Sequence, residues 1–322
     1  MCEKLLPKIY SQKNFDNKNR RVGFEIEFSG LSIDALAEHI QELLGGNIEK
    51  KHKNLSMLTN TSLGSFKLEL DAQPLKELAK KSQEKQKNVA IDWEGAVENL
   101  VSSSLLGLIP IEIVTPPVNI EEIGRLDEII EILKKSHACD THKSVLTAFG
   151  LHINPEVPAL ESAKILAFMT SFVLLNDWLK DSMPLDFSRK LSGFVSDYPR
   201  TYCRKILNPD YQPNIKELID DYLVENDSRN RGLDMLPLFA YLKKDIMEQY
   251  PDIKINPRPT FHYRLANCQF SKPGWDVSTE WKRWLHVEAL AKDSELRVMM
   301  AKDYLRLSPK AWKEKVKEYI AS

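Results

Sequence analysis

The chain has 322 residues, of which 43% are hydrophobic and 28% charged, and its formal net charge is -1. That length buries a large core, in one elaborated domain or two, and the balanced charge creates no global field that would draw in nucleic acid or an anionic membrane. The four cysteines (Cys2, Cys139, Cys203, Cys268) are scattered without a CxxC pair, which predicts free thiols in a reducing compartment. Residues 1–20 are polar and carry no apolar signal region. The longest strongly apolar run, residues 165–175, falls short of the roughly 20 residues that span a bilayer. These features predict a cytoplasmic protein.

In chain order, the segment Arg21–Phe28 alternates apolar and polar residues with period two, the pattern of a strand with two distinct faces. Gly30 ends it, and Ser32 caps a predicted helix running to about Leu44, closed by Gly45 and Gly46. Residues 65–71 alternate again and predict a second strand. Residues 76–88 are highly charged, a solvated helix or loop, and 89–105 fit an amphipathic helix. A short apolar strand over 109–114 is stopped by Thr115-Pro116-Pro117. Helical spacing returns over 120–136, and 145–153 read as a strand stopped by Pro155. From 158 to 250 the signal is mostly helical: an apolar helix to about Leu179, a Pro-, Asp- and Arg-rich loop, then helices near 214–226 and 234–250. Residues 260–265 predict a return strand, and 278–305 and 309–320 are helical. This order favours an α+β fold with a largely antiparallel sheet. It divides as one domain over 1–322, with a mainly helical insertion at about 158–257 and a helical segment at about 276–322.

Carboxylates sit within these strands. Glu25 and Glu27 are two apart, so both point to one face of their strand while Val22, Phe24, Ile26 and Phe28 point to the other. Two adjacent carboxylates repel unless a cation or base lies between them, and hard divalent ions such as Mg²⁺ take oxygen ligands of this kind beside substrate phosphates. An exposed amphipathic strand with two solvated glutamates is the plain alternative. Glu69 and Asp71 form a second acidic pair, and Glu112 lies between Ile111 and Ile113. His152 stands in a strand before Pro155. His262 and Arg264 share a face of the return strand, where an arginine offers planar, permanently charged contacts to phosphate or carboxylate. A sheet face carrying several acids, a histidine and an arginine is what a metal–nucleotide site requires.

Five motifs in this order resemble the amidoligase family, a branch of the carboxylate–amine ligases with the glutamine synthetase and glutamate–cysteine ligase fold. They are Gly23-Phe-Glu-Ile-Glu27, Lys67-Leu-Glu-Leu-Asp71, Ile111-Glu-Ile-Val-Thr-Pro-Pro117, Gly150-Leu-His-Ile-Asn154 and Tyr263-Arg264-Leu. The resemblance runs from about residue 20 to about 270. It implies a curved antiparallel sheet whose concave face holds ATP and Mg²⁺. By matching, Glu25, Glu27, Asp71 and Glu112 are the expected metal ligands. His152 is expected beside metal or nucleotide, with a part in catalysis, and Arg264 at the γ-phosphate or acyl phosphate. The late strand departs from the pattern: related ligases carry Glu-x-Arg where this chain has His262-Tyr263-Arg264, so either one metal site is altered, with His262 expected at the cofactor in place of an acid, or the acid comes from elsewhere in the chain.

The resemblance implies an ATP-dependent ligase joining a small-molecule or peptide carboxylate to an amine through an acyl phosphate. It leaves oligomerisation open and calls for no protein nucleophile. A nucleotide- or peptide-binding module without turnover, a metal-dependent hydrolase and a regulatory interaction protein are the competing readings. Arg189, Arg200, Arg204, Arg229 and Arg231 cluster in the helical half; as an anion-binding wall, Arg204 (cofactor) and Arg231 (catalysis) are the favoured members. The turn at Asn230-Arg-Gly232 suggests a loop that approaches a ligand closely. His137-Ala-Cys139-Asp-Thr-His142 holds soft-ligand types without a visible fourth ligand and reads as a loop. No phosphate-binding glycine loop of the G-x-x-x-x-G-K-[ST] or G-x-G-x-x-G type occurs.

Overall fold

The computed structural model describes residues 4–70, 110–135, 150–183, 195–226, 228–245, 255–270 and 272–320. The predicted elements at 76–88 and 89–105 lie outside these residues. The described strands are β1 (Arg21–Phe28), β2 (Asn47–His52), β3 (Leu55–Thr61), β4 (Gly64–Leu70), β5 (Ile111–Val114), β6 (Val118–Asn119), β7 (Leu151–Pro155), β8 (Leu233–Asp234) and β9 (His262–Ala266). They form one sheet in the order β2-β3-β4-β5-β1-β7-β9-β8, with β6 also pairing β1. Every pairing is antiparallel. The expected α+β architecture with an antiparallel sheet is therefore present.

β1 is central because its sequence supports both faces. Val22, Phe24, Ile26 and Phe28 are wholly buried, each worth roughly 1.5–3 kcal/mol over exposure. Their neighbours on the same apolar face include Phe66 and Leu68 of β4, Ile111 and Ile113 of β5, Leu151 and Ile153 of β7, and Tyr263 and Leu265 of β9, all buried. Helix α1 (Ile33–Leu44) begins where Ser32 accepts from the Ala35 amide, and buries Ile33, Leu36, Ala37, Ile40 and Leu44. Helices α2 (Gly124–Lys135), α3 (Ser162–Ser182) and α7 (Val277–Lys292) complete the core. Phe168 of α3 stacks on Phe261, with ring centroids 4.6 Å apart, and Trp284 of α7 packs 5.4 Å from Tyr263.

The stretch from 158 to 257 contains α3, α4 (Arg200–Ile206), α5 (Ile215–Glu225) and α6 (Leu236–Leu242), and also supplies the edge strand β8. Helix α4 occupies part of the segment expected as loop. Residues 278–305, expected as one helix, form α7 and α8 (Ser294–Arg306), broken at Asp293, which closes one helix and caps the next by accepting from Leu296 N. Helix α9 (Pro309–Tyr319) starts at a Ser308 cap with proline in its first turn. Among the described residues no helix is long and apolar enough to cross a membrane.

The segment before β1 is tied to α7. Arg20 and Glu288 form an ion pair with both side chains fully buried. Arg20 Nη1 donates to Glu288 Oε2 at 3.1 Å and Trp284 Nε1 donates to Glu288 Oε1 at 2.7 Å. Arg21, at the strand's start, pairs with Glu156 at 2.8 Å.

Candidate functional site

Strand register carries the acids onto one face. Glu27 is opposite Glu112, and Glu112 is opposite Glu69, so three carboxylates form a row across β1, β5 and β4. Glu25 is opposite His152 on its other flank. Like charges set directly across neighbouring strands destabilise a sheet unless something positive joins them. The Lys67 ammonium bonds Glu69, and Glu25 and Glu27 are held by β7, β9 and their flanking loops.

Glu25 is the most heavily contacted. Its Oε2 lies 2.7 Å from His152 Nδ1 and 3.6 Å from His262 Nε2. Its Oε1 accepts from Asn154 Nδ2 at 3.1 Å and from Arg258 Nη2 at 3.3 Å. Burial alone would raise the Glu25 carboxyl, but the two imidazoles outweigh it and hold it well below the usual carboxylate range. Glu27 is turned the other way along the strand: its Oε2 accepts from the Gly150 amide at 2.7 Å, and its Oε1 is 3.7 Å from His152 Nε2. The His152 ring therefore sits between the two glutamates. Burial lowers its pKa despite both carboxylates, so the ring is neutral and able to present a lone pair at neutral pH.

Gly150 has a steric reason to be glycine. A Cβ there would lie 2.9 Å from Glu27 Oε2 and 3.2 Å from His152 Nε2. The Gly-x-His spacing thus serves both functional side chains.

On the far side, His262 Nδ1 is 3.1 Å from Asp234 Oδ2 of β8. Asp234 also accepts from Arg229 Nε at 3.2 Å and from the Leu236 amide at 3.0 Å. Burial raises the Asp234 carboxyl, but His262, Arg229 and Arg264 more than reverse this and it stays below its ordinary value. Arg264 is half-buried, donates to the Arg229 carbonyl and lies close enough to lower the His152 pKa further. Arg258 is partly buried, and its guanidinium also donates to Asn154 Oδ1 at 2.9 Å.

Two groups of side chains bring ligand atoms within 4.8 Å of one another: Glu25, His152 and His262, and Glu27, Glu112 and His152. The second offers two carboxylates and one imidazole, a set that accommodates a hard divalent ion. The first contains a buried nitrogen, His262 Nε2, that has no hydrogen-bond partner among the described residues.

The structure thus gathers Glu25, Glu27, Glu112, His152, His262 and Arg264 on one face. Asp71, Arg189 and the His137–His142 motif lie outside the described residues. Arg204 and Arg231 make other contacts: Arg204 Nη1 donates to the Leu305 carbonyl at 2.9 Å, and Arg231 Nη1 to the Asp197 carbonyl at 2.5 Å. The close approach at Gly232 is to protein, since a Cβ there would lie 2.9 Å from Phe172 Cζ. Sequence reasoning did not single out Arg258, Asn154 or Asp234. Asn154 was findable two residues from His152 on the same strand face. Arg258, between Pro257 and Pro259, reads as part of a breaker, and Asp234 belongs to a strand of only two residues.

No curated protein and no solved structure matches the chain. A family model described as "Putative amidoligase enzyme" matches residues 18–286, a span that contains every member of the acid–imidazole–guanidinium face and more than half of the sequence. The chain belongs to that amidoligase family.

Proposed function

We propose that this amidoligase is an ATP- and Mg²⁺-dependent carboxylate–amine ligase working through an acyl phosphate. The observation that carries the reading is the row Glu69–Glu112–Glu27 across three adjacent strands, flanked by Glu25, His152 and Arg264. Such a row is stable with divalent cations on it, and those cations bind phosphate oxygens. When bound, Mg²⁺ and ATP supply the electrophilic γ-phosphorus and neutralise charge that develops on the phosphate oxygens.

The chain's own residues do the rest by positioning. Glu27 and Glu112 face each other across β1 and β5 and would hold a cation, with Gly150 fixing the Glu27 rotamer. Arg264, anchored on the Arg229 carbonyl, has donors to set against an anionic oxygen. In the first half-reaction a substrate carboxylate oxygen bonds to the γ-phosphorus and ADP leaves. In the second the amine nitrogen bonds to the carbonyl carbon, phosphate leaves and the nitrogen gives up a proton. Small-molecule or peptide carboxylates and amines are the substrate class this chemistry serves.

The test is an ADP-release assay with Mg-ATP, a carboxylate mixture and hydroxylamine as the amine. The expected result is carboxylate-dependent ADP release with hydroxamate, both reduced by about 100-fold or more in Glu27→Gln, as loss of a charge-stabilising ligand requires. ADP release that ignores carboxylate and amine would make the protein a hydrolase. ATP binding without turnover across a wide substrate screen would make it a binding module.

A further inference from the structure

The site that contains Glu25 is not built for Mg²⁺. Its ligand atoms are one carboxylate oxygen and two imidazole nitrogens, from His152 and His262, all within 4.8 Å; His152 Nδ1 already bonds Glu25 Oε2 at 2.7 Å, which leaves Nε2 as its lone-pair nitrogen. Mg²⁺ is a hard ion that takes oxygen ligands and keeps much of its water. Imidazole nitrogen suits the borderline first-row ions.

His262 is prepared as a ligand. Its side chain is 2% exposed. Asp234, already accepting from Arg229 and the Leu236 amide, is an acceptor only, so in the neutral imidazole that a metal would bind the proton lies on Nδ1 and the lone pair on Nε2. That Nε2 atom is buried, has no hydrogen-bond partner among the described residues and is 3.6 Å from Glu25 Oε2. Two metal–ligand bonds of about 2.1 Å bridge such a gap at an open angle. A buried carboxylate that orients one imidazole nitrogen while the other faces outward is the usual arrangement behind a metal-bound histidine. The neighbouring Glu27–Glu112 pair lacks this second imidazole and stays oxygen-rich.

We propose that Glu25, His152 and His262 form a site for a borderline divalent transition-metal ion of the Mn²⁺-to-Zn²⁺ series, with Asp234 as the positioning residue that fixes the His262 tautomer. This rests on reading the acidic face as a metal-binding face, and it gives that face two chemically unlike sites in place of a uniform set of Mg²⁺ sites.

The test is calorimetric titration of the full chain, without nucleotide, with Mg²⁺, Mn²⁺ or Zn²⁺ alone. Mn²⁺ and Zn²⁺ should each bind at least about tenfold tighter than Mg²⁺, with Zn²⁺ the tighter of the two. Pulsed EPR of the Mn²⁺-loaded wild type should show nitrogen hyperfine coupling from imidazole. His262→Gln should reduce that coupling and weaken Mn²⁺ by at least about tenfold while sparing Mg²⁺, and Asp234→Asn should weaken Mn²⁺ by about 10–100-fold. Equal affinities for Mg²⁺ and Mn²⁺, or no nitrogen coupling in the wild type, would overturn the proposal without any variant having to fold. Hydroxamate formation with Mg²⁺ alone, together with equal affinities, overturns this proposal and leaves the ligase reading standing. Tight, nitrogen-coupled Mn²⁺ with no ADP or hydroxamate under any metal supports this proposal and removes the ligase reading.

Discussion

The Gly150 amide donates to Glu27 Oε2 at 2.7 Å, and the Cβ that Gly150 lacks would lie 2.9 Å from the same oxygen. One residue therefore both holds the carboxylate and makes room for it. Gly150→Ala should keep the far-ultraviolet circular dichroism spectrum and lower stability by about 1–3 kcal/mol, the usual cost of overpacking. It should weaken Mg²⁺ binding by about 10–100-fold in calorimetry, because Glu27 and the His152 ring are both displaced. Unchanged Mg²⁺ affinity would mean that the carboxylate keeps its ligand position beside the added Cβ.

Arg258 and Arg204 separate a site arginine from a scaffold arginine. Arg258 spans Glu25 and Asn154, whereas Arg204 donates to a carbonyl at the end of α8. Arg258→Gln should lower kcat/KM for hydroxamate formation by about 10–100-fold, the worth of one strong charged contact in the transition state. Arg204→Gln should leave kcat/KM unchanged and show only a lower melting temperature. Equal losses in the two variants would place Arg204 at the substrate.

The pH dependence of stability has a determined sign. Burial lowers the His152 pKa from its ordinary 6.5, so between 6.5 and the lower folded value the unfolded chain holds more protons. Stability from this group is full above pH 6.5 and is lost as pH falls through the folded value. His286 is lowered by burial in the same direction, and Glu25 and Asp234, also lowered, add losses only below their ordinary 4.5 and 3.8. The informative quantity is therefore the difference between chains. In EDTA, the unfolding free energy of the wild type from urea titration should fall from pH 7 to pH 5 more steeply than that of His152→Gln, by up to about 1.4 kcal/mol per pH unit. Parallel profiles would show that folding leaves the His152 pKa unshifted, and a shallower wild-type profile that His152 is protonated in the fold.

The Arg20–Glu288 ion pair lies outside the site with both side chains fully buried. Glu288→Gln keeps the bond from Trp284 Nε1 but leaves a guanidinium buried without its counter-charge. The expected loss is about 3–5 kcal/mol in urea unfolding. A loss under about 1 kcal/mol would mean that water reaches Arg20 in the folded state.

β1 was legible because a period-two pattern has one structural answer, and α1 because Ser32 and Gly45 bracket an amphipathic run. Glu25, Glu27, Glu112 and His152 were legible for the same reason: each interrupts an apolar strand, where a polar side chain must face the opposite side. The β2–β3 hairpin was not read as strands. The sequence of β2, Asn-Ile-Glu-Lys-Lys-His, is charged, and all of it but Ile48 is exposed, so no alternation marks it. Asp234 and Arg258 were hidden for a different reason. Their importance comes from where tertiary pairing sets them, against His262 and Glu25, and neither has a local pattern that announces it.

The partners of Glu25 lie far along the chain: His152 is 127 residues downstream and Arg258 is 233. Arg20 waits still longer, since Glu288 is 268 residues away. During synthesis the first strand, with Arg20 just before it, thus leaves the ribosome long before the counterparts of its acids and of that arginine exist. The oxygen-rich and nitrogen-rich halves of the face also arise at different times, because Glu112 emerges well ahead of His262.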